Sequence, residues 1–137
     1  HCTVGSAILN GVPPQSIREV WGVAKMYETY VGAKKFEGSD PIFSEIREVG
    51  EEFGATTGRP RQCNWMDWNL LKKAININGV TNLVLNKVDV LEEVGQQKIF
   101  VDEKVVSFDS MSLMKEFINA NMKKGVITAF SSDKESI

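Results

Sequence analysis

The segment EEFGATTGRPRQCNW, from Glu51 to Trp65, interrupts the regular hydrophobic spacing found on either side of it. Its eight central residues, Gly54 to Arg61, include two threonines, two glycines and two arginines. Hydroxyl, backbone N–H and guanidinium groups need partners when buried, which favours a loop over a core element. Glycines allow the backbone to approach a ligand, and Arg59 and Arg61 can each bind a carboxylate or phosphate through paired hydrogen bonds. The segment therefore predicts an anion-binding loop, with an ordinary charged surface loop as the alternative.

Helices are predicted on both sides of this loop. Asp40 and Pro41 form a typical helix start, and Gly54 is predicted to end that helix. Its apolar face comprises Ile42, Phe43, Ile46, Val49 and Phe53. The second helix is predicted to begin after Asn64, as N-cap, and to end at Gly79. Its inward residues are Trp68, Leu71, Ala74 and Ile75.

A further helix is predicted near the start of the chain. Pro14 can open it, since a proline at the first helical position needs no N–H partner. From Ile17 onward, apolar residues recur at helical spacing as far as Gly32. The residues predicted to face the core are Val20, Trp21, Ala24 and Tyr27.

The second half of the chain has the pattern of strands and helices in alternation. Thr81 to Leu85 is short, apolar and β-prone, as expected of a buried parallel strand. An antiparallel pair, Lys98 to Val101 with Lys104 to Phe108, precedes a helix capped by Asp109 or Ser110. That helix presents Leu113, Met114, Phe117, Ile118 and Met122, and a last strand follows over Gly125 to Phe130. The prediction is one α/β unit over residues 1–137, with a mostly parallel sheet flanked by helices and a small antiparallel pair.

The strand at Thr81 to Leu85 runs directly into Asn86-Lys87-Val88-Asp89. The Asn-Lys-x-Asp pattern at a strand end is typical of guanine recognition in GTPases. A carboxylate at Asp89 can accept hydrogen bonds from guanine N1–H and its exocyclic amine, and the Lys87 stem can cover the base. A solvated strand end is the alternative. Because the chain has no G-x-x-x-x-G-K-[ST] phosphate loop, an autonomous GTPase is not expected.

Composition narrows the class of protein. The chain has 137 residues, 42% of them hydrophobic and 25% charged, which suits a soluble globular unit. A net charge of −2 argues against a nucleic-acid surface and favours a small anionic ligand at the paired arginines. Two cysteines and one histidine are too few for a disulfide framework or a zinc site. We therefore expect no metal ligands here, no membrane segment and a reducing, cytoplasmic setting.

GATTGRPR at 54–61, followed by NKVDVL at 86–91, resembles the adenylosuccinate synthetase family. The resemblance implies a P-loop NTPase-like adenylosuccinate synthetase fold and a GTP- and Mg²⁺-dependent ligase. In that reaction L-aspartate is joined to the 6-position of IMP, giving adenylosuccinate for purine biosynthesis. It also implies that residues 1–137 are a C-terminal portion, without the phosphate loop, the catalytic acid and base or the Mg²⁺ ligands. His1-Cys2-Thr3-Val4-Gly5 resembles the second half of a nucleotide-phosphate segment. The expected partners are IMP, aspartate, GTP, the N-terminal portion and a second copy in a cytoplasmic homodimer.

The same resemblance implies roles for individual residues. No catalytic residue is expected in this portion, although Arg61 would support the transferring phosphate and contact GTP. The implied aspartate and nucleotide contacts are Ala55, Thr56, Thr57, Gly58, Arg59, Pro60 and Arg61, with Val31 and Gly32 against the nucleotide ribose. The implied guanine contacts are Lys87, Val88, Asp89, Ser131, Ser132 and Asp133.

Two alternatives to the IMP ligase remain open on the sequence. One is a phage-type relative that joins aspartate to dGMP, with ATP as a possible donor, although the Asn86 to Asp89 motif favours guanine. The other is a noncatalytic nucleotide-binding fragment.

Overall fold

The structure is a computed structural model, and it describes residue 11 and residues 14–132. A 3₁₀ turn at Pro14–Ser16 precedes seven strands and four helices in this part of the chain. The strands are β1 Trp21–Lys25, β2 Tyr27–Tyr30, β3 Gln62–Asp67, β4 Asn82–Asn86, β5 Gln97–Val101, β6 Lys104–Phe108 and β7 Ile127–Phe130. The helices are α1 Ile42–Val49, α2 Trp68–Asn78, α3 Val88–Val94 and α4 Met111–Asn121.

Strands β1, β4 and β7 form a parallel sheet with β4 in the centre. The register places Lys25 beside Asn86, and Leu85 beside Phe130. The carboxyl ends of all three strands therefore meet at one edge of the sheet, which is where open α/β sheets bind ligands. The chain bends after this edge, where the backbone N–H of Met26 donates to the carbonyl of Asn86 at 3.0 Å.

The remaining strands form a second, mixed sheet in the order β2-β3-β5-β6. Its outer pairs, β2 with β3 and β5 with β6, are antiparallel, whereas β3 and β5 are parallel. Asp102 and Glu103 form the turn between β5 and β6, both with positive φ, as a two-residue hairpin turn requires. The α/β prediction is confirmed, and the strands are divided between two sheets, one wholly parallel and one mixed.

Three predicted helix boundaries are observed, two of them with a side-chain oxygen that accepts from the first turn. Asp40 Oδ1 accepts from the N–H of Ile42 at the start of α1, and Ser110 Oγ accepts from the N–H of Leu113 in α4. Gly79 ends α2 in the left-handed conformation, with φ of +60°. Among the described residues, no helix has the length and hydrophobicity needed to cross a membrane.

The predicted helix over Ile17 to Gly32 is wrong, because this segment forms β1 and β2. Aromatic and β-branched residues suit a pleated strand, and pairing of β1 with β4 satisfies its backbone groups. Trp21 is 61% exposed and does not face the core, whereas Tyr27 is buried against the mixed sheet.

The boundaries of the two helices beside the loop also differ from the prediction. α1 ends at Val49 with Gly50 as its cap, before Gly54. α2 begins at Trp68, with Asp67 and not Asn64 as its N-cap. The residues between, Gln62–Asp67, form β3, because it pairs with both β2 and β5. In α2, Trp68 and Ile75 are buried as predicted, whereas Ala74 is exposed.

Candidate functional site

The segment Glu52 to Arg61 is a closed loop. Phe53 and Pro60 form an antiparallel bridge across its neck. The N–H of Gly54 donates to the carbonyl of Arg59 at 2.8 Å, and the N–H of Gly58 donates to the carbonyl of Gly54 at 2.9 Å. The backbone therefore closes on itself around residues 55–58, and leaves their side chains pointing away from the core.

The tip of the loop is exposed to solvent. All of the implied aspartate-loop residues except Arg61 lie there: Ala55, Thr56, Thr57, Gly58, Arg59 and Pro60. Thr57 Oγ1 accepts from the N–H of Arg59 at 3.3 Å, which helps to shape the turn. Gly58 has φ of +68°, a conformation that side chains other than glycine rarely adopt. The tip therefore presents hydroxyl and guanidinium groups on a backbone shaped by hydrogen bonds and glycine.

The base of the loop is organised by Glu52, whose side chain is only 2% exposed. One carboxylate oxygen, Oε1, accepts from Lys25 Nζ and from Arg61 Nη1, both at 2.9 Å. The other oxygen, Oε2, accepts from the hydroxyl of Tyr27. The backbone of Gly50 makes room for this arrangement, because a β-carbon there would overlap the Tyr27 hydroxyl.

Glu52 is ionised at neutral pH. Burial raises the pKa of its carboxyl, whereas hydrogen bonds from Tyr27, Lys25 and Arg61 lower it. Together these hydrogen bonds outweigh burial, so the pKa lies below its ordinary value. One negative charge thus faces two positive charges, which leaves a net positive charge beneath the loop. Lys25 and Arg61 keep 27% and 31% of their side-chain surface exposed, so this charge is accessible to an anion.

Lys25 connects the loop to the edge of the parallel sheet. It is the last residue of β1 and lies in register with Asn86, the first residue of the Asn-Lys-x-Asp motif. Lys87 Nζ donates to the carbonyl of Gly50, two residues before the loop, at 3.4 Å. Two independent contacts therefore hold the arginine-bearing loop against the edge that carries the motif.

The implied guanine residues meet at the same edge. Lys87 has φ of +65° and turns the chain from β4 into α3. The N–H of Val88 donates to the carbonyl of Ser131 at 3.2 Å, and the N–H of Ser131 donates to Leu85. Asp89 lies in the first turn of α3 and is partly exposed, as is Ser132. Asp133 and residues 1–5 lie outside the described residues.

Val31 and Gly32 follow the end of β2, a strand of the mixed sheet and not of the parallel sheet. Both are exposed, Val31 by 61%. Gln62, the residue after Arg61, donates to the carbonyl of Gly32 at 3.2 Å and to that of Lys34 at 2.7 Å. The structure thus links this segment to the loop through the residue that follows the second arginine.

Neither a thiol nucleophile nor a metal centre is present in the described residues. Cys63 is fully buried, and burial raises the pKa of its thiol to about 11, so it is protonated at neutral pH. Within residue 11 and residues 14–132, no group of three or more His, Cys, Asp or Glu side chains is placed to hold a metal ion.

Sequence reasoning missed three residues of this site. Glu52, Lys25 and Tyr27 are brought together from a loop and two strands, 25 and 27 positions apart in the chain. A strand assignment for Trp21 to Tyr30 would have placed Lys25 near a strand end, but its position beside Asn86 comes from the observed pairing. No local signal identifies Glu52, because its neighbour Glu51 is the same residue type and is exposed.

The fold and the position of these groups define an α/β protein whose candidate ligand site lies at the carboxyl ends of parallel strands. The family model for adenylosuccinate synthetase matches residues 1–125. The chain belongs to the adenylosuccinate synthetase family.

Individual relatives agree with this assignment. The chain is 47% identical over 94 residues to adenylosuccinate synthetase of Trichlorobacter lovleyi, a match that covers 67% of this chain and 22% of the relative. It is 48% identical over 102 residues to adenylosuccinate synthetase of Xylella fastidiosa, a match that covers 72% of this chain and 24% of the relative. The structure of fully ligated adenylosuccinate synthetase from Plasmodium falciparum superposes with a TM-score of 0.65 and 28% identity, covering 83% of this chain and 30% of that one. The chain thus spans about a quarter of the length of the curated relatives it matches.

Proposed function

We propose that this chain contributes the aspartate loop and the guanine-recognition corner of a GTP-dependent ligase that joins L-aspartate to IMP. The observation that carries the proposal is the contact between loop and sheet edge: Glu52 binds both Arg61 and Lys25, and Lys25 lies in register with Asn86. A loop that binds an amino-acid carboxylate and a motif that reads a purine nucleotide are thereby held side by side. Membership of the adenylosuccinate synthetase family supports the choice of reaction.

The residues of this chain would bind and orient the reactants. Arg59 and the threonine hydroxyls at the loop tip suit the carboxylates of aspartate, and Arg61 suits an anion shared between aspartate and the GTP phosphates. Preformed cations lower the cost of developing charge on a transferring phosphoryl group. On the ground of the family resemblance, proton transfer and Mg²⁺ binding are assigned to residues outside this portion. Mg²⁺, when bound, would neutralise phosphate charge.

Specificity for guanine would come from the corner between β4 and α3. The Asp89 carboxylate can accept from both guanine N1–H and the exocyclic amine, which adenine does not offer in that arrangement. Val31 and Gly32 would lie against the nucleotide ribose, with Ser131, Ser132 and Asp133 closing over the base. A cytoplasmic homodimer belongs to the same proposal, on the ground of family resemblance.

A direct assay tests the reaction. Full-length protein is incubated with aspartate, GTP and Mg²⁺ and either IMP or dGMP, and the products are separated by chromatography. We expect adenylosuccinate from IMP and little product from dGMP, because the relatives described above are adenylosuccinate synthetases. Preferential use of dGMP would favour the phage-type reaction, and no product from either acceptor would favour a noncatalytic fragment.

A variant tests guanine recognition separately. Asp89→Asn removes the acceptor charge, so we expect the preference for GTP over ATP, measured as a ratio of kcat/KM values, to fall by roughly ten- to a hundredfold. Asp109→Asn makes the same change at an exposed residue before α4 and serves as the matched control. An unchanged donor preference in Asp89→Asn would show that the motif is only a strand end.

A further inference from the structure

Glu52 contacts Arg61 through both its side chain and its backbone. Its carboxylate accepts from the Arg61 guanidinium, and its backbone carbonyl accepts from the Arg61 N–H, both at 2.9 Å. Arg47 Nε in turn donates to the carbonyl of Arg61 at 2.8 Å. Both the backbone and the guanidinium of Arg61 are therefore held from the protein side before any ligand arrives.

Glu52 uses only part of the hydrogen-bond donors of the Arg61 guanidinium. A guanidinium carries five N–H donors, and Glu52 Oε1 is the acceptor that the structure shows for one nitrogen, Nη1. About a third of the Arg61 side chain is exposed. Oε1 also accepts from Lys25, so one negative charge is shared between two positive charges. Arg61 is thus oriented but still positively charged overall, a state suited to receiving a second anion.

The second carboxylate oxygen holds Glu52 itself in place. Oε2 accepts from the hydroxyl of Tyr27, whose side chain is 1% exposed. Tyr27 is on β2 and lies in register with Trp65 of β3, so the hydroxyl projects from the core of the mixed sheet. The buried tyrosine therefore helps to fix the carboxylate that contacts Arg61.

We propose that Glu52 is a positioning residue for the ligase reaction, which holds the Arg61 guanidinium in the orientation that receives the aspartate carboxylate. The inference rests on the proposed function above, because that function assigns aspartate to the loop. Glu52 does not touch the substrate. Its effect passes through Arg61, whose rotamer would otherwise be selected only when the ligand binds, at a cost in affinity.

The test compares two glutamates that are adjacent in the chain. Glu52→Gln keeps the shape of the side chain and removes its charge, and Glu51→Gln makes the same change at an exposed position. Steady-state kinetics of the full-length protein are measured for aspartate, IMP and GTP. We expect Glu52→Gln to raise the aspartate KM about tenfold and the IMP KM less than about twofold, with Glu51→Gln close to wild type.

A double-mutant cycle separates positioning from a general structural effect. If Glu52 acts through Arg61, Glu52→Gln introduced into an Arg61→Gln protein should change the aspartate KM by less than about twofold. An equilibrium probe repeats the comparison without turnover: succinate, which has both carboxylates of aspartate but no amine, should lose about tenfold in affinity in Glu52→Gln. Full additivity in the cycle, or unchanged succinate binding, would overturn the positioning role.

Two outcomes keep this proposal distinct from the proposed function. Wild-type protein that does not consume aspartate overturns the function, and with it the role of Glu52 in that reaction. Wild-type protein that is active, together with an unchanged aspartate KM in Glu52→Gln, overturns the positioning role alone. If Glu52→Gln does not fold, Tyr27→Phe removes the hydroxyl that donates to Oε2 and should raise the aspartate KM about threefold; an unchanged value overturns the role.

Discussion

The tip and the base of the Glu52–Arg61 loop carry one arginine each, and the two side chains differ in burial and in hydrogen bonding. Arg59, at the tip, is exposed, and the structure shows no side-chain hydrogen bond or ion pair for it within the described residues. Arg61, two residues later, is half-buried and bonded to a carboxylate that is almost inaccessible to solvent. Only Pro60 separates the two arginines, and the difference arises from what packs beneath the loop.

This difference separates two kinds of contribution to a binding site. Groups at the base are part of the folded structure, so a change there affects stability and ligand orientation together. Side chains at the tip contact little in the described residues, so loss of a side chain there should affect ligand binding more than stability. The comparison predicts a graded series of effects on the free energy of unfolding.

The largest effect is expected at the base. Glu52→Gln should lower the free energy of unfolding by about 2 kcal/mol at pH 7, because Lys25 and Arg61 lose their shared anion. The pKa of Glu52 is lowered in the folded state, so its contribution is present above the unfolded-state pKa of about 4.3 and is lost as the pH falls through the folded-state pKa. Chemical denaturation between pH 7 and pH 3 measures this difference.

The Glu52→Gln difference should therefore shrink at acidic pH, while Glu51→Gln should remain within about 0.5 kcal/mol of wild type throughout. Equal losses in the two variants, or a difference that does not vary with pH, would contradict the assignment of Glu52 to the base of the loop.

An intermediate effect is expected at the turn of the tip. Gly58→Ala should lower the free energy of unfolding by about 1 kcal/mol, because alanine is strained at φ of +68°. No atom lies within 4 Å of a β-carbon built at this glycine, so the cost comes from the backbone and not from a clash. Gly58→Asn is the control, since asparagine tolerates this conformation better. Equal destabilisation by both residues would contradict a backbone origin.

The smallest effect on stability is expected for the exposed arginine. Arg59→Leu should change the free energy of unfolding by less than about 0.5 kcal/mol, since its side chain is exposed at the tip. The same variant should raise the aspartate KM and lower kcat if the proposed function is correct. Arg61→Leu is the comparison and should cost more stability, because Glu52 loses a donor. A loss of stability in Arg59→Leu as large as in Arg61→Leu would remove the distinction between tip and base.

Much of the fold follows from local sequence patterns. The strand before Asn86, the β5–β6 pair and the α4 helix are predicted close to their observed positions, because a short β-prone run, two such runs around a turn and an apolar helical face are all local features. The loop at Gly54 to Arg61 was also predicted, from its lack of apolar spacing. The roles of its residues in binding remain predictions.

The failure at Trp21 to Tyr30 shows the limit of such patterns. Apolar residues in this segment fit helical spacing, but the observed strands pair with β4 and β3, which lie far away in the chain. Backbone hydrogen bonds to distant partners outweighed the local pattern, as is usual for strands. The missed β3 has the same cause, since its neighbours are β2 and β5.

The sequence by itself determined the two motifs, their order, and the family to which they belong, because each motif is a continuous run of residues. Only the tertiary structure decided that Lys25, Tyr27 and Glu52 meet beneath the loop, and that among the described residues the guanidinium of Arg61 has a carboxylate partner while that of Arg59 shows none. The physical reason is that the pairing of β1 with β4 brings Lys25 beside Asn86, and the pairing of β2 with β3 brings Tyr27 beside Trp65. Such long-range pairings leave no periodic trace in the residues that they bring together.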